Sequence, residues 1–179
     1  MTDEELKLFK EKKGVEYKIK ETGEKISLDL IKKIISLYQE RLKKISEISE
    51  LTDFFFKSKI YFDKEFLKWK DMGDKEIKLS LDRLLKILSK IKDGDWNKDN
   101  LAKMILPEAE KFPKGIKRLQ PPLRPPAEGG PLEGDRGYLL WPFRVALTGK
   151  EASAPPFEIA EILGKKKTIQ RIKEAIRVI

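Results

Sequence analysis

The chain has 179 residues, 40% of them hydrophobic and 39% charged, which is enough apolar material for a core beneath a heavily charged surface. It contains neither Cys nor His, which excludes disulfides, zinc–thiolate sites, thiol nucleophiles, Ser-His triads and the commonest general base near neutral pH. Lys and Arg outnumber Asp and Glu by 39 to 30, a formal charge of +9, and such a surplus favours polyanionic partners because each neutralised phosphate releases condensed counterions.

The opening stretch MTDEELKLFKEKK has acidic residues and no apolar run of the kind a signal peptide needs. No apolar run approaches the ~20 residues of a membrane-spanning helix. Thr2 to Glu5 reads as a capping box for a short helix that Gly14 closes. Val15, Tyr17 and Ile19 alternate, predicting a brief extended segment before a turn at Gly23. Ser27 is placed as an N-cap, with Ile31, Ile34, Ile35, Tyr38 and Leu42 following at helical spacing.

A second helix is predicted from about Ser46 through Phe56, with Ile48, Leu51 and Phe55 on one face. Phe62, Phe66 and Trp69 suggest a third, short helix stopped by Gly73. Ser80 precedes the clearest stripe, Leu81, Leu84, Leu85, Leu88 and Ile91, which ends near Gly94. Asn97 is suited to cap a helix carrying Leu101, Met104 and Ile105, which Pro107 must restart or kink.

All ten prolines fall at or after Pro107, so the first hundred residues are free to be helical. Residues 113–137, with their paired prolines and frequent glycines, cannot hold a helix and read as a mobile, partly polyproline loop. A proline-rich ligand for an SH3-like groove is the alternative use of such a loop. Beyond it, Pro142 suits a first helical turn ending at Gly149, and Pro156 repeats the device before Phe157–Leu163, which Gly164 stops. A final helix from about Lys167 carries Ile169, Ile172 and Ile176. The predicted class is all-α: a lead-in over 1–24, helical subdomains over 25–95 and 96–179, and the Pro/Gly-rich loop at 113–137.

The stretch GDRGYLLWPFRVALTGKEASAPPFEIAEILGKKKTIQRIKEAI, from Gly134 to Ile176, closely resembles the extreme C-terminus of bacterial glutamyl-tRNA synthetases. The shared pattern is an L-R-V-A-L-T-G-like run, a Ser/Thr-Pro loop, a helix ending in L-G-K, and a short helix with an Arg-hydrophobe pair, here Arg171-Ile172. Leu30 to Phe56 is similar to the same family more loosely. The catalytic half of such enzymes carries an H-I-G-H-like signature and a K-M-S-K-like loop, and this chain has neither. The resemblance therefore implies a non-catalytic, anticodon-binding region with no cofactor of its own. ATP, Mg and glutamate would belong to a catalytic half normally in the same polypeptide. It further implies tRNA-Glu as partner, a monomeric state, no membrane partner and a cytoplasmic location.

By the resemblance, Arg41 stands where tRNA-Glu-specific members carry an arginine facing the first anticodon base, and Arg144 matches an arginine near the anticodon. An arginine suits either task, because its planar fork hydrogen-bonds a base edge or stacks on it. The alternatives are a surface Arg41 paired with Glu40 or Glu47, and an Arg144 bridged to a carboxylate. Ser153, Pro155 and Phe157 match the loop and helix start that approach the anticodon bases. This chain departs from the family there: Ala154 follows the hydroxyl residue, and then come Pro155 and Pro156. Phe157 reads more readily as core than as a base-stacking ring, and Trp69, Trp96 and Trp141 read as buried among apolar neighbours. Lys165, Lys166 and Lys167 are candidates for phosphate contacts, which add affinity without selecting sequence. The rival function is a basic helical protein-interaction module with only non-specific RNA binding.

Overall fold

The computed structural model describes residues 17–18, 23, 25–61, 63–112 and 135–179. The opening helix expected over residues 2–14, Val15, Ile19, Phe62 and most of the loop expected at 113–137 lie outside them. Contacts divide the chain into two compact units, Met1–Arg41 and Leu42–Ile179.

In the first unit a two-stranded antiparallel ladder joins β1 (Tyr17–Lys18) to β2 (Lys25–Ile26), in the register Tyr17 to Ile26 and Lys18 to Lys25. The short extended segment expected before Gly23 is thus the first arm of a hairpin. Helix α1 (Leu28–Tyr38) follows, and the Ser27 hydroxyl caps it by accepting the Leu30 N–H at 3.2 Å. Of the expected stripe, Ile34 and Tyr38 are buried, while Ile35, one residue round the helix from Ile34, is exposed.

The second unit is all-helical among its described residues. Its helices are α2 (Ile48–Phe56), α3 (Asp74–Lys90), α4 (Lys98–Glu110), α5 (Gly137–Thr148) and α6 (Pro156–Val178), with 3-10 turns at Ile45–Glu47, Lys64–Leu67 and Asp93–Asp95. Helix α5 is the hub. It packs on α3, α4, α6 and the Lys64–Leu67 turn, and α3 and α4 also pack on α6. Leu81, Leu84 and Leu88 of α3, Leu101 and Ile105 of α4, Leu139 and Phe143 of α5, and Ile159 and Ile172 of α6 are all sealed from solvent. Burying a side chain of this size contributes about 1.5–3 kcal/mol, so this shared core dominates the unit's stability.

Two local expectations are met closely. Asn97 caps α4 by accepting the Asn100 N–H at 2.9 Å, and Gly149 ends α5 in the left-handed conformation. Others need correction. The division falls between Arg41 and Leu42, whereas the sequence suggested one near residue 95; helices on both sides of 95 share the core just described. The third expected helix is only the 3-10 turn Lys64–Leu67. Helix α3 starts at Asp74, well before Ser80, because Glu76 reaches back to the Gly73 N–H at 3.1 Å and supplies the cap.

Pro107 neither restarts nor ends α4, since it sits on the exposed side, where its missing N–H leaves the Lys103 carbonyl to water. Pro142 lies inside α5, not in its first turn, because that helix already begins at Gly137. Gly164 does interrupt α6, with φ 75° and ψ 163°, a conformation open essentially to glycine alone. The Thr168 hydroxyl lies 3.4 Å from the Ala160 carbonyl across this break.

Candidate nucleic-acid interface

Helix α5 presents Trp141 and Arg144 three residues apart, hence on one face. The Arg144 guanidinium carbon stands 5.9 Å from the centroid of the Trp141 ring, within cation–π range. The other face of the contact comes from the approach to α3. The Trp69 ring lies 5.0 Å from that of Trp141, tilted by 38°, and the Lys70 ammonium lies 5.5 Å from the Trp69 ring. Lys70, Trp69, Trp141 and Arg144 thus form a chain of cation, ring, ring and cation. Both tryptophans are half-buried, not sealed in the core as the sequence suggested.

Hydrogen bonds fasten this stack at its edges. The Trp141 indole N–H donates to the Phe66 carbonyl at 2.8 Å, and the Trp69 indole N–H donates to the Asp135 carboxylate at 3.1 Å. Asp135 also accepts from the Lys70 ammonium at 2.5 Å and from the Gly137 N–H at 2.9 Å. The Lys70 ammonium, then the Gly137 and Trp69 N–H groups, hold the Asp135 carboxyl below the usual range despite burial pushing it up. Lys70 adopts φ 55°, the one left-handed non-glycine residue among those described. Gly137 completes the fit: a Cβ there would fall 2.1 Å from the Trp69 indole nitrogen. At the next residue, the Tyr138 hydroxyl donates to the Asp71 carboxylate.

Arg144 itself forms no ion pair among the described residues, so the carboxylate bridge considered for it is not made. Its Nε is shut away from solvent without a hydrogen-bond partner. Ser153 is half-buried in the loop between α5 and α6, its hydroxyl donating to the Ala154 carbonyl at 3.0 Å. Pro155 occupies the N-cap of α6 in an extended conformation, φ −56° and ψ 141°. The half-buried Phe157 ring lies 6.4 Å from that of Phe143, the neighbour of Arg144. Ser153, Pro155 and Phe157 therefore lie at the α5–α6 junction, while Arg144 stands in α5 against Trp141. Arg41 belongs to the other unit, exposed in the turn after α1, its backbone N–H donating to the Tyr38 carbonyl at 2.8 Å.

The three lysines divide by use. Lys165 donates to the Ile91 carbonyl at 2.7 Å and lies 3.4 Å from Asp93, and Lys167 donates to the Phe55 carbonyl at 2.8 Å. Both ammonium groups hold elements together, and Lys166 alone of the three is exposed.

Sequence reasoning missed Arg171. It is 1% exposed and donates to the carbonyls of Leu147 at 2.5 Å, Phe54 at 2.5 Å and Lys57 at 3.0 Å. One guanidinium thus serves the carbonyl ends of α5 and α2, where a cation is electrostatically favoured. Burial lowers it to about 10, still protonated at neutral pH. Only the Arg-hydrophobe pair in the sequence marked the position, without its role.

These features define a class: an all-α domain with arginine, lysine and aromatic rings interleaved on one surface. The anticodon binding domain family matches residues 6–127 and 133–176, and the chain belongs to that family. It is 34% identical over 154 residues to a glutamate–tRNA ligase of Clostridium acetobutylicum, covering 85% of this chain and 27% of that protein. It is 28% identical over 159 residues to the glutamate–tRNA ligase of Flavobacterium johnsoniae, covering 88% of this chain and 26% of that one. The fold is also that of a glutamate–tRNA ligase from Elizabethkingia meningosepticum solved with its amino acid: TM-score 0.64, 24% identity, 99% of this chain and 29% of that one. The chain thus spans about a quarter of the length of these relatives.

Proposed function

We propose that this chain reads the anticodon of tRNA-Glu as the non-catalytic part of a glutamyl-tRNA synthetase in protein synthesis. Support comes first from the family match over nearly the whole chain, with its relatives glutamate–tRNA ligases. It comes also from Arg144, held against Trp141 on α5, and from Ser153, Pro155 and Phe157 at the junction that follows that helix. The mechanism is recognition: unstacked anticodon bases meet guanidinium planes, a hydroxyl and backbone groups, while lysines such as Lys166 follow the phosphates. Arg41 supplies a further base contact from the N-terminal unit. Glutamate activation with ATP and Mg belongs to a separate catalytic region, and the protein works in the cytoplasm as a monomer.

The test is a salt-graded titration of the chain with tRNA-Glu and with anticodon-substituted copies. The expected result is a preference for the cognate anticodon that Arg41→Ala abolishes, while salt-sensitive, sequence-indifferent binding persists. Equal binding of all RNAs with only a steep salt slope would leave a basic surface and no anticodon reading.

A further inference from the structure

We infer that Trp141, braced by Trp69, is the positioning residue that holds the Arg144 guanidinium flat as a stacking surface for an unstacked RNA base. This rests on the anticodon reading and adds to it how one of the contacts is built.

Arg144 differs from Arg83, Arg136 and Arg171 of the same unit. Arg83 is bound by Glu108, Arg136 by Glu110, and Arg171 by three backbone carbonyls. Among the described residues Arg144 has no such tether, and the aromatic face of Trp141 is the contact that orients it. An arginine fixed through its donors presents them to a carboxylate. An arginine fixed through a π-face keeps its terminal donors and its second planar face for a ligand.

The brace is equally specific. Trp141 could rotate about its side-chain bonds, but its indole N–H is committed to the Phe66 carbonyl, and its ring rests on Trp69. Trp69 in turn is committed to Asp135 and fits against Gly137, where no side chain larger than hydrogen is accommodated without movement. Two half-buried tryptophans with both polar edges satisfied are rigid, and rigidity before binding reduces the ordering cost of capturing a flexible single strand. The line of rings ends at a guanidinium 5.9 Å from the last ring, which puts a base resting on Arg144 next in line. Bases stack on arginine planes in single-stranded RNA recognition, and a lost stack lowers affinity on the order of tenfold.

The experiment uses the whole chain with tRNA-Glu and an anticodon-substituted copy, comparing Arg144→Ala, Arg144→Lys, Trp141→Leu, Trp141→Phe and the double variant Trp141→Leu with Arg144→Ala. Arg144→Ala is expected to weaken cognate binding on the order of tenfold. Arg144→Lys should lose as much, because an ammonium keeps the charge without the plane. Trp141→Leu should lose as much again by itself, but nothing further in the double variant, and Trp141→Phe should largely rescue it. Wild-type binding by Arg144→Lys reduces the role of Arg144 to charge and overturns the inference, even if Trp141→Leu does not fold. Fully additive losses in the double variant, or wild-type affinity in folded Trp141→Leu, overturn it while leaving the anticodon reading intact. Absence of any cognate preference in the wild-type chain overturns both.

Discussion

The second unit contains two arginine-centred regions that use the same side chain in opposite ways. Around Arg171, three carbonyls from the ends of α2 and α5 converge on a guanidinium that water does not reach. Around Arg144, two tryptophans support a guanidinium that forms no ion pair among the described residues. Buried charge is costly unless its donors are engaged. Arg171 commits both terminal nitrogens to carbonyls, its Nε alone being left without a partner among the described residues, so the Arg171 region fixes the fold. The Arg144 region, its Nε likewise shut away, keeps its terminal donors and is therefore suited to recognition. The contrast shows that exposure alone is a poor guide to function here. What separates the two arginines is whether their terminal guanidinium nitrogens are already committed among the described residues.

The largest effect is expected at Arg171. Arg171→Ala strands the carbonyls of Leu147, Phe54 and Lys57 in a site that water cannot easily fill. The predicted loss is about 3–5 kcal/mol, read as a fall in the urea midpoint by circular dichroism. Arg171→Lys should recover only part of it, because one ammonium cannot reproduce a planar fork aimed at two helix ends. Full stability in either variant would remove the distinction between the two regions.

Gly137→Ala probes the opposite side of the comparison. The new Cβ would stand 2.1 Å from Nε1 and 2.2 Å from Cε2 of Trp69, so the ring must move. The predicted cost is about 2 kcal/mol, with weaker tRNA binding as the stack beneath Arg144 is displaced. In a Trp69→Leu background the same substitution should cost much less, since the clashing ring is gone. Equal costs in both backgrounds would mean that the strain arises in the α5 backbone and not in the stack.

Legibility in the sequence followed locality. Ser27, Asn97, Gly149 and Gly164 act on neighbouring residues, and each sits where the sequence places it. The start of α5 was misplaced because it depends on Asp135, which binds Trp69 and Lys70 from a distant part of the chain. Ser80, read as lying ahead of its stripe, is instead a buried α3 residue, since the cap comes from Glu76 further upstream. Arg144, Ser153, Pro155 and Phe157 were found through resemblance alone; spacing carried no chemical signature. The Trp69–Trp141 pair was invisible because nothing local indicates that two segments separated by α3 and α4 will meet. The burial of Arg171 was hidden for the same reason: it is created by helix ends that converge only in the folded unit.

The smallest effect concerns Tyr138, which ties the first turn of α5 to Asp71 beside the stack. Its hydrogen bond to the Asp71 carboxylate, reinforced by burial, pushes the phenol from 10.0 up to about 12. A raised folded-state value means that the folded chain holds this proton more tightly than the unfolded chain. The associated stability is therefore complete below pH 10 and is lost as pH rises towards about 12. Phenolate absorbance should show one tyrosine ionising well after the usual range, and Tyr138→Phe should remove that late step. Asp71→Asn should bring the step down but leave it above the ordinary value, because burial of the ring persists. At neutral pH either change should cost only about 1 kcal/mol, the usual contribution of one hydrogen bond. A late step that survives Tyr138→Phe would assign it to another tyrosine. The link between Asp71 and the start of α5 would then have to be carried by packing instead of by this hydrogen bond.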